Sequence, residues 1–180
     1  MRLFVFVLFS CLLFACTDFE KSKQLKQVNS LHKNLDSLLI VLSQINDSQL
    51  TEEIEKNRGL ISDLTMSAAN DTLIETEARM LDNYANFVSR LSLLKSSLEK
   101  LKKTLEEQKG SVANLKNDIE NGWGKRHLYN DQLKFEKRKR NIIERELNII
   151  KIKKTKIINK TATFNLKTRE LIQKLKSKEL

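Results

Sequence analysis

The feature that most constrains the fold is an apolar heptad pattern that runs from residue 73 to residue 119. Its members recur at alternating steps of three and four residues, which is the spacing of a coiled-coil seam. Only Glu77 and Gln108 interrupt it with polar side chains. A helix over residues 72–120 would be about 70 Å long at a rise of about 1.5 Å per residue. The apolar members are Leu73, Met80, Tyr84, Phe87, Leu91, Leu94, Leu98, Leu101, Leu105, Val112, Leu115 and Ile119.

Composition also favours long helices. The chain of 180 residues contains no proline and 4 glycines, and 31% of its residues are charged. Proline is the strongest interrupter of helices, whereas Leu, Lys, Glu and Ile are compatible with them. Hydrophobic residues make up 40% of the chain, which is more than a wholly disordered protein carries.

Two more apolar stripes precede this segment. They predict helices over residues 24–46 and 50–68, and Asn46-Asp47-Ser48 separates them with side chains that compete for backbone hydrogen bonds. We therefore expect a turn or kink between these helices. The first stripe comprises Val28, Leu31, Leu35, Leu38, Leu42 and Ile45, and the second Leu50, Ile54, Ile61 and Leu64.

A last stripe predicts a helix over residues 126–176. Lys154, Thr161 and Thr168 fall on its seam, so we expect its distal end to be looser than the rest. Its apolar set includes Leu128, Leu133, Ile143, Leu147, Ile150, Ile157, Phe164, Leu171 and Leu175.

Two boundaries separate the long segments. Asn70 or Asp71 is placed to cap the helix that follows, and Gly122-Trp123-Gly124 reads as a reversal. Trp123 would either anchor this loop to a partner or pack over the end of the bundle. Packing over the end is the commoner fate of an aromatic residue at a reversal, and we expect it of Trp123.

Short connections between long helices make them antiparallel neighbours. The sequence therefore predicts an all-α fold, an elongated antiparallel three-segment helical bundle or coiled coil over residues 24–180. The alternative is a hairpin of the last two helices, with the first segment pairing in another chain.

The first residues have the features of an export signal. Arg2 precedes a stretch without charge from Leu3 to Thr17, which is typical of a cleavable signal peptide. This stretch is shorter than the roughly 20 apolar residues of a transmembrane helix. We predict a signal peptide over residues 1–15 and a polar tether over residues 16–23.

Leu13-Phe14-Ala15-Cys16, at the end of this stretch, resembles the lipobox of bacterial lipoproteins. The resemblance implies that the thiol of Cys16 receives a diacylglycerol thioether, that cleavage occurs before Cys16, and that fatty acids such as palmitate anchor the protein in a membrane. Thr17, instead of aspartate, points by the same analogy to the outer membrane. The alternative is an ordinary secretory signal with an incidental cysteine, hence a secreted coiled-coil protein without lipid.

Positive charge is concentrated in the last third of the chain. The net charge is +10, and from Lys125 onward 18 Lys and Arg stand against 6 Asp and Glu. Such a density attracts anionic lipid or an acidic envelope polymer, whereas few aromatic residues are available to stack on nucleic-acid bases. The alternative is a solvated helix face. The candidate residues are Lys134, Lys137, Arg138, Lys139, Arg140, Arg145, Lys151, Lys153, Lys154 and Lys156.

No catalytic or metal-binding constellation is recognisable. His32 and His127 stand far apart in the sequence and lack the neighbouring ligands of a zinc site, so we interpret both as solvated helix residues. The sequence predicts no cofactor, no metal and no enzyme activity. It favours a lipid-anchored cell-envelope protein that acts as a helical spacer, scaffold or interaction module, with a protein partner or a second copy bound through its coiled coil.

Overall fold

The computed structural model is all-α over the residues that it describes, which confirms the predicted helical bundle. It describes the backbone of residues 2–45, 47–68 and 73–177, and side chains from residue 19 onward except at residue 47. The helices within these ranges are α1 (Arg2–Ser43), α2 (Asp47–Ala68), α3 (Glu75–Asn121) and α4 (Tyr129–Ser177), and a short 3-10 turn at Arg126–Leu128 precedes α4. Helix α1 includes the residues predicted as a polar tether.

The chain divides into two compact units. The first unit comprises Met1–Val41 and Lys102–Arg145, and the second comprises Leu42–Leu101 and Glu146–Leu180. In the first unit α1 packs with α3 and α4. In the second unit α2 packs with α3 and α4. Each unit is therefore a packing of three helices.

In the first unit α1 is antiparallel to α3. Lys21 Nζ donates a hydrogen bond of 2.8 Å to the carbonyl of Glu120, and Lys109 forms an ion pair of 2.7 Å with Asp36 further along. Because Lys109 donates to it, the pKa of the Asp36 carboxyl is lowered. The buried apolar residues of this unit include Val28, Leu31, Leu35, Leu105, Val112, Leu115, Ile119, Leu133 and Ile143.

Helix α4 is parallel to α1 in the first unit. Gln24 Nε2 donates to Asn130 Oδ1 over 3.2 Å, and Lys137 Nζ donates to Gln27 Oε1 over 2.9 Å. The order of directions is thus up, down and up, as the short connections predicted.

In the second unit α3 is antiparallel to both α2 and α4. The hydroxyl of Tyr84 on α3 lies 2.5 Å from Asn57 Oδ1 on α2 and 2.8 Å from Asn165 Oδ1 on α4. Nearer the start of α3, Lys174 reaches Glu77 at 2.8 Å. The core of this unit includes Leu50, Ile54, Leu64, Leu91, Leu94, Leu98, Leu147, Leu171 and Leu175.

Polar residues occupy several buried seam positions in both units. On α3 and α4, Gln108 Nε2 donates to the carbonyl of Glu136 over 2.6 Å, while Gln108 Oε1 is buried without a hydrogen-bond partner among the described residues. A polar seam residue that finds a polar partner favours one helix register over its neighbours. The buried polar residues include Gln24, Asn57, Glu77, Gln108, Glu136, Thr161, Asn165 and Thr168.

Helix α3 begins with a carboxylate cap. The N–H of Ile74, the residue before the helix, donates to Glu77 Oε2 over 3.1 Å, which is the returning half of a capping box. This role explains why Glu77 can occupy an apolar seam. The caps predicted at Asn70 or Asp71 lie outside the described residues.

The distal end of α4 is packed, and the expectation that it would be looser is wrong. Leu171, Ile172 and Leu175 are buried in one cluster with Leu64 of α2. The threonines that weakened the predicted stripe, Thr161 and Thr168, are themselves buried, since a threonine can turn its hydroxyl back to its own helix. Thr161 does so, donating to the carbonyl of Ile157.

The reversal between α3 and α4 forms where it was predicted. Gly122 and Gly124 have φ values of 70° and 83°, in the left-handed region that glycine adopts without steric cost. Trp123, between them, is 59% exposed. The expectation that this side chain packs over the end of the bundle is therefore wrong.

Candidate anionic-ligand site on α4 and the lipidation residue

The ten basic residues predicted on the last helix are divided between the two units. Lys134, Lys137, Arg138, Lys139, Arg140 and Arg145 belong to the first unit, and Lys151, Lys153, Lys154 and Lys156 belong to the second. Helical geometry separates them further, because residues that are adjacent in sequence point in different directions.

Several cations of the first unit have acidic neighbours on α4 itself. Lys134 lies 3.1 Å from Asp131, and Lys139 lies 3.5 Å from Glu136. Lys139 also stands over the ring of Phe135, 4.6 Å from its centroid. These pairs partly neutralise the positive charge of this segment. The Lys134–Asp131 pair is exposed on both sides, and exposed ion pairs stabilise a helix only weakly.

Arg140 and Lys137 line a cleft in the first unit. Arg140 pairs with Glu144 at 3.1 Å, and Lys137 is held by its hydrogen bond to Gln27. The opposite wall of the cleft belongs to α1 and includes Lys26 and Asn34. This cleft is polar, and part of its positive charge already has a partner.

In the second unit a larger cleft opens between residues 83–97 of α3 and residues 150–164 of α4. Its volume is about 500 Å³. Ile150, Ile157 and Phe164 follow one another at seven-residue steps along one wall, so they share one face of α4. The rings of Phe87 on α3 and Phe164 on α4, which both line the cleft, stack with centroids 4.8 Å apart.

Cations surround this apolar surface. Lys153, Lys156 and Lys160 lie on α4 at steps of three and four residues, and Arg90 faces them from α3. No acidic side chain is among the described residues that line the cleft. An apolar groove with a positive rim is suited to a ligand that has both an apolar part and a negative charge.

Sequence reasoning identified only part of this site. Lys153 and Lys156 line the cleft, whereas Lys151 and Lys154 lie outside it. Arg90 and Lys160 were missed because no run of charge marks either of them. The sequence feature that could have identified them is their spacing from an aromatic residue on the same helix. Arg90 follows Phe87 by three residues, and Lys160 precedes Phe164 by four.

A buried polar group lies beside the cleft. The amide nitrogen of Asn57 is engaged by the carbonyl of Glu53 at 2.5 Å, so its oxygen faces the hydroxyl of Tyr84. The Tyr84 hydroxyl has one proton, which it donates to the side-chain oxygen of Asn57. With the amide of Asn165 oriented so that its nitrogen faces Tyr84, that nitrogen donates to the hydroxyl oxygen. Burial raises the pKa of Tyr84 to about 12, because the phenolate would lose its hydration.

The two histidines have different surroundings. His32 Nδ1 lies 3.2 Å from Asp36 on the same helix, and His127 lines a small cleft with Glu20 and Tyr129. Among the residues whose side chains the structure describes, no three His, Cys, Asp or Glu lie close enough together to hold a metal ion.

The side chain of the predicted lipidation residue, Cys16, lies outside the described side chains, although its backbone is part of α1. Phe19, three residues later, is the first side chain described, and it is exposed. No helix in the described part of the chain is both long enough and apolar enough to cross a membrane.

Comparison with protein-family models, with curated proteins and with solved structures found no match to this chain.

Proposed function

We propose that this protein is a lipid-anchored, non-catalytic component of a bacterial cell envelope, more specifically of the outer membrane, whose helical bundle serves as a spacer, scaffold or interaction module. The observation that carries the proposal is the position of Leu13-Phe14-Ala15-Cys16 at the end of an uncharged stretch, directly before the bundle. Two or more acyl chains on Cys16 would hold the chain at a membrane without a spanning helix, because each buried methylene contributes about 0.8 kcal/mol.

The outer face of α4 supports the role in protein interaction. In the first unit, Phe135 and Ile142 lie seven residues apart on α4, and each is more than half exposed. A stripe of this spacing is what an amphipathic helix of another protein, or of a second copy, packs against. Arg138 and Arg145 each follow an apolar member of the stripe by three residues, so an acidic helix is the favoured partner.

The lipid anchor is tested by metabolic labelling. Cells of a bacterium that processes lipoproteins are grown with an alkyne fatty acid, and the label on this protein is measured after fractionation. We expect label and membrane association for the wild type, and loss of both for Cys16→Ala. Cys11→Ala is the matched control, because Cys11 is the other cysteine of the chain, and it is expected to retain both. Wild-type protein without label would contradict the proposal.

A second candidate function is the binding of anionic lipid in the cleft of the second unit. The apolar wall of Ile150, Ile157 and Phe164 beneath a rim of four cations favours a lipid over an acidic polymer, because a polymer has no use for the apolar wall. Exposed charges interact over a Debye length of about 10 Å at 0.1 M salt, so binding should weaken as salt is raised.

This second function is tested with short-chain phosphatidylglycerol, and with phosphatidylcholine as the neutral comparison. The variant Lys153→Gln/Lys156→Gln/Lys160→Gln is expected to bind the anionic lipid on the order of a hundredfold more weakly, at about 1 kcal/mol per cation. Isothermal titration calorimetry measures the affinity.

The control variant is Lys134→Gln/Lys137→Gln/Arg138→Gln, which removes the same charge from the first unit. It should bind as the wild type does. An equal loss in both variants would show that net charge, and not the cleft, attracts the lipid.

A further inference from the structure

The end of the first unit where α1, α3 and α4 meet carries exposed aromatic and apolar side chains. Phe19 is 75% exposed, Trp123 is 59% exposed and Leu128 is 42% exposed. Exposed apolar side chains that lie singly are normal, but three at one end of a small unit are more informative, because such groupings mark interaction sites.

Contacts between the helices place these side chains together. Lys21 on α1 donates to the carbonyl of Glu120 at the end of α3, and Asn130 at the start of α4 donates to Glu20 over 3.0 Å. Phe19 directly precedes Glu20, and Trp123 and Leu128 lie in the loop that joins Glu120 to Asn130. All three exposed side chains therefore belong to the same end of this unit.

The loop holds the backbone of Trp123 in place and leaves its indole outside. The N–H of Trp123 donates to the carbonyl of Asp118 over 2.9 Å. The hydroxyl of the buried Tyr129 contacts that same carbonyl at 3.0 Å, and it also contacts the carbonyl of Trp123. A pinned backbone with an exposed indole presents the side chain to something outside the chain.

The surroundings of the indole suit a membrane surface. The loop sequence is Gly122-Trp123-Gly124-Lys125-Arg126-His127-Leu128, with two cations and no acid. Asp118 and Glu120 precede it on α3, and Glu20 of α1 lies at the same end. Tryptophan is enriched at the level of lipid headgroups, where its ring is partly buried and its N–H stays hydrated. Lysine and arginine near an anionic leaflet contribute attraction of their own.

The same end is also close to the anchor. Phe19 follows Cys16 by three residues within α1, which is about 4.5 Å along a helix. On the proposed function, on which this step rests, lipid on Cys16 would hold this end of the unit against the bilayer.

We propose that residues 122–128, together with Phe19, form a membrane-contacting surface in which Trp123 enters the headgroup region of the bilayer that holds the lipid anchor. The occupant of this exposed apolar end is thus a phospholipid membrane with anionic headgroups.

The chain offers a direct probe, because Trp123 is its only tryptophan. The acylated protein, purified from bacterial membranes, is reconstituted into vesicles of phosphatidylcholine and phosphatidylglycerol with or without bromine on the acyl chains. We expect the emission of Trp123 to be shifted to the blue relative to the protein unfolded in denaturant without detergent. We also expect the brominated vesicles to quench the emission. Quenching should be stronger when bromine lies near the headgroup than when it lies deep in the bilayer.

The control moves the probe along the same unit. The variant Trp123→Phe/Ile142→Trp places the indole at another exposed position, about 20 Å along the helix from Leu128. Its emission is expected to be the same in brominated and ordinary vesicles. Equal quenching at positions 123 and 142 would overturn the proposal.

Intact mass and flotation of the same preparation separate this inference from the anchor. Acylated protein that floats with vesicles while Trp123 remains unquenched overturns the membrane-contacting surface and leaves the anchor standing. Protein that carries no acyl group and does not float overturns both.

Discussion

Replacing Ile143 with alanine is expected to lower the free energy of unfolding by about 2–5 kcal/mol, the usual cost of truncating a large buried aliphatic side chain. Ile143 is 3% exposed in the core of the first unit. Removal of its outer methyl and methylene groups leaves a cavity that the surrounding side chains fill only partly, so contacts are lost without replacement. Urea denaturation followed by far-ultraviolet circular dichroism measures the change.

The neighbouring residue supplies a control of the same chemistry. Ile142 is 53% exposed, so Ile142→Ala should change the free energy of unfolding by no more than about 0.5 kcal/mol. Alanine has the higher helix propensity, which offsets part of any loss. If the two substitutions had equal effects, the seam of α4 would not have the register described above.

The second large effect is expected for Tyr84→Phe, at about 2–4 kcal/mol of lost stability. The ring keeps its stacked contact with Phe87 and its tilted contact with Phe164, but the buried amides of Asn57 and Asn165 lose their shared partner. A buried polar group left without a hydrogen bond costs about 1–3 kcal/mol. Denaturation by urea gives the value.

Tyr129→Phe is the matched control for this substitution. Its hydroxyl contacts the backbone carbonyls of Asp118 and Trp123. The carbonyl of Asp118 also accepts from the N–H of Trp123 and so keeps a partner, and the loss of stability should be about 1 kcal/mol. A Tyr84→Phe protein as stable as the wild type would show that the three polar side chains do not depend on one another.

Tyr84 also makes stability depend on pH in the alkaline range. Its pKa is raised to about 12 in the folded protein, against about 10 in an unfolded chain. The folded state therefore holds the Tyr84 proton more tightly than the unfolded state does. The stability that this difference contributes is fully present below pH 10 and is lost as the pH rises through 12. The resulting loss in the free energy of unfolding approaches about 2–3 kcal/mol, because each unit of difference between the folded and unfolded pKa corresponds to about 1.4 kcal/mol.

In the variant Tyr129→Phe, Tyr84 is the only tyrosine, since the chain has 2. The tyrosinate absorbance of this variant should then rise near pH 12 while the protein is folded. The decline of stability above pH 10 should be shallower in Tyr84→Phe than in the wild type, because lysine deprotonation is common to both. A tyrosinate transition near pH 10 in the folded Tyr129→Phe variant would contradict the described burial.

The seam of α3 shows how well the helices could be predicted. Leu91, Leu94, Leu98 and Leu105 were assigned to it from spacing, and all are buried. The prediction succeeds because a heptad pattern is a local property: residues three and four apart share a helix face wherever the helix lies. The positive φ values of the two glycines at the reversal follow from local sequence in the same way.

Asn57 and Asn165 mark the limit of that reasoning. Both sit at seam spacing, and the sequence shows no reason for an asparagine there until Tyr84 is placed between them. The same applies to the cleft, where Arg90 comes from α3 and Lys160 from α4. No local pattern pairs residues so distant in the chain, because their meeting depends on the relative register of two helices.

The predicted signal peptide and Cys16 were identified from the sequence alone, and on them the proposed lipid anchor rests. The sequence by itself also determined that the chain is helical, where the reversal falls and which positions are apolar, since backbone preference and side-chain periodicity act between near neighbours. Only the tertiary structure decided which polar seam residues meet, which cations surround an apolar wall, and that Trp123 points outward, because each of these depends on helices that approach one another across long intervals of chain.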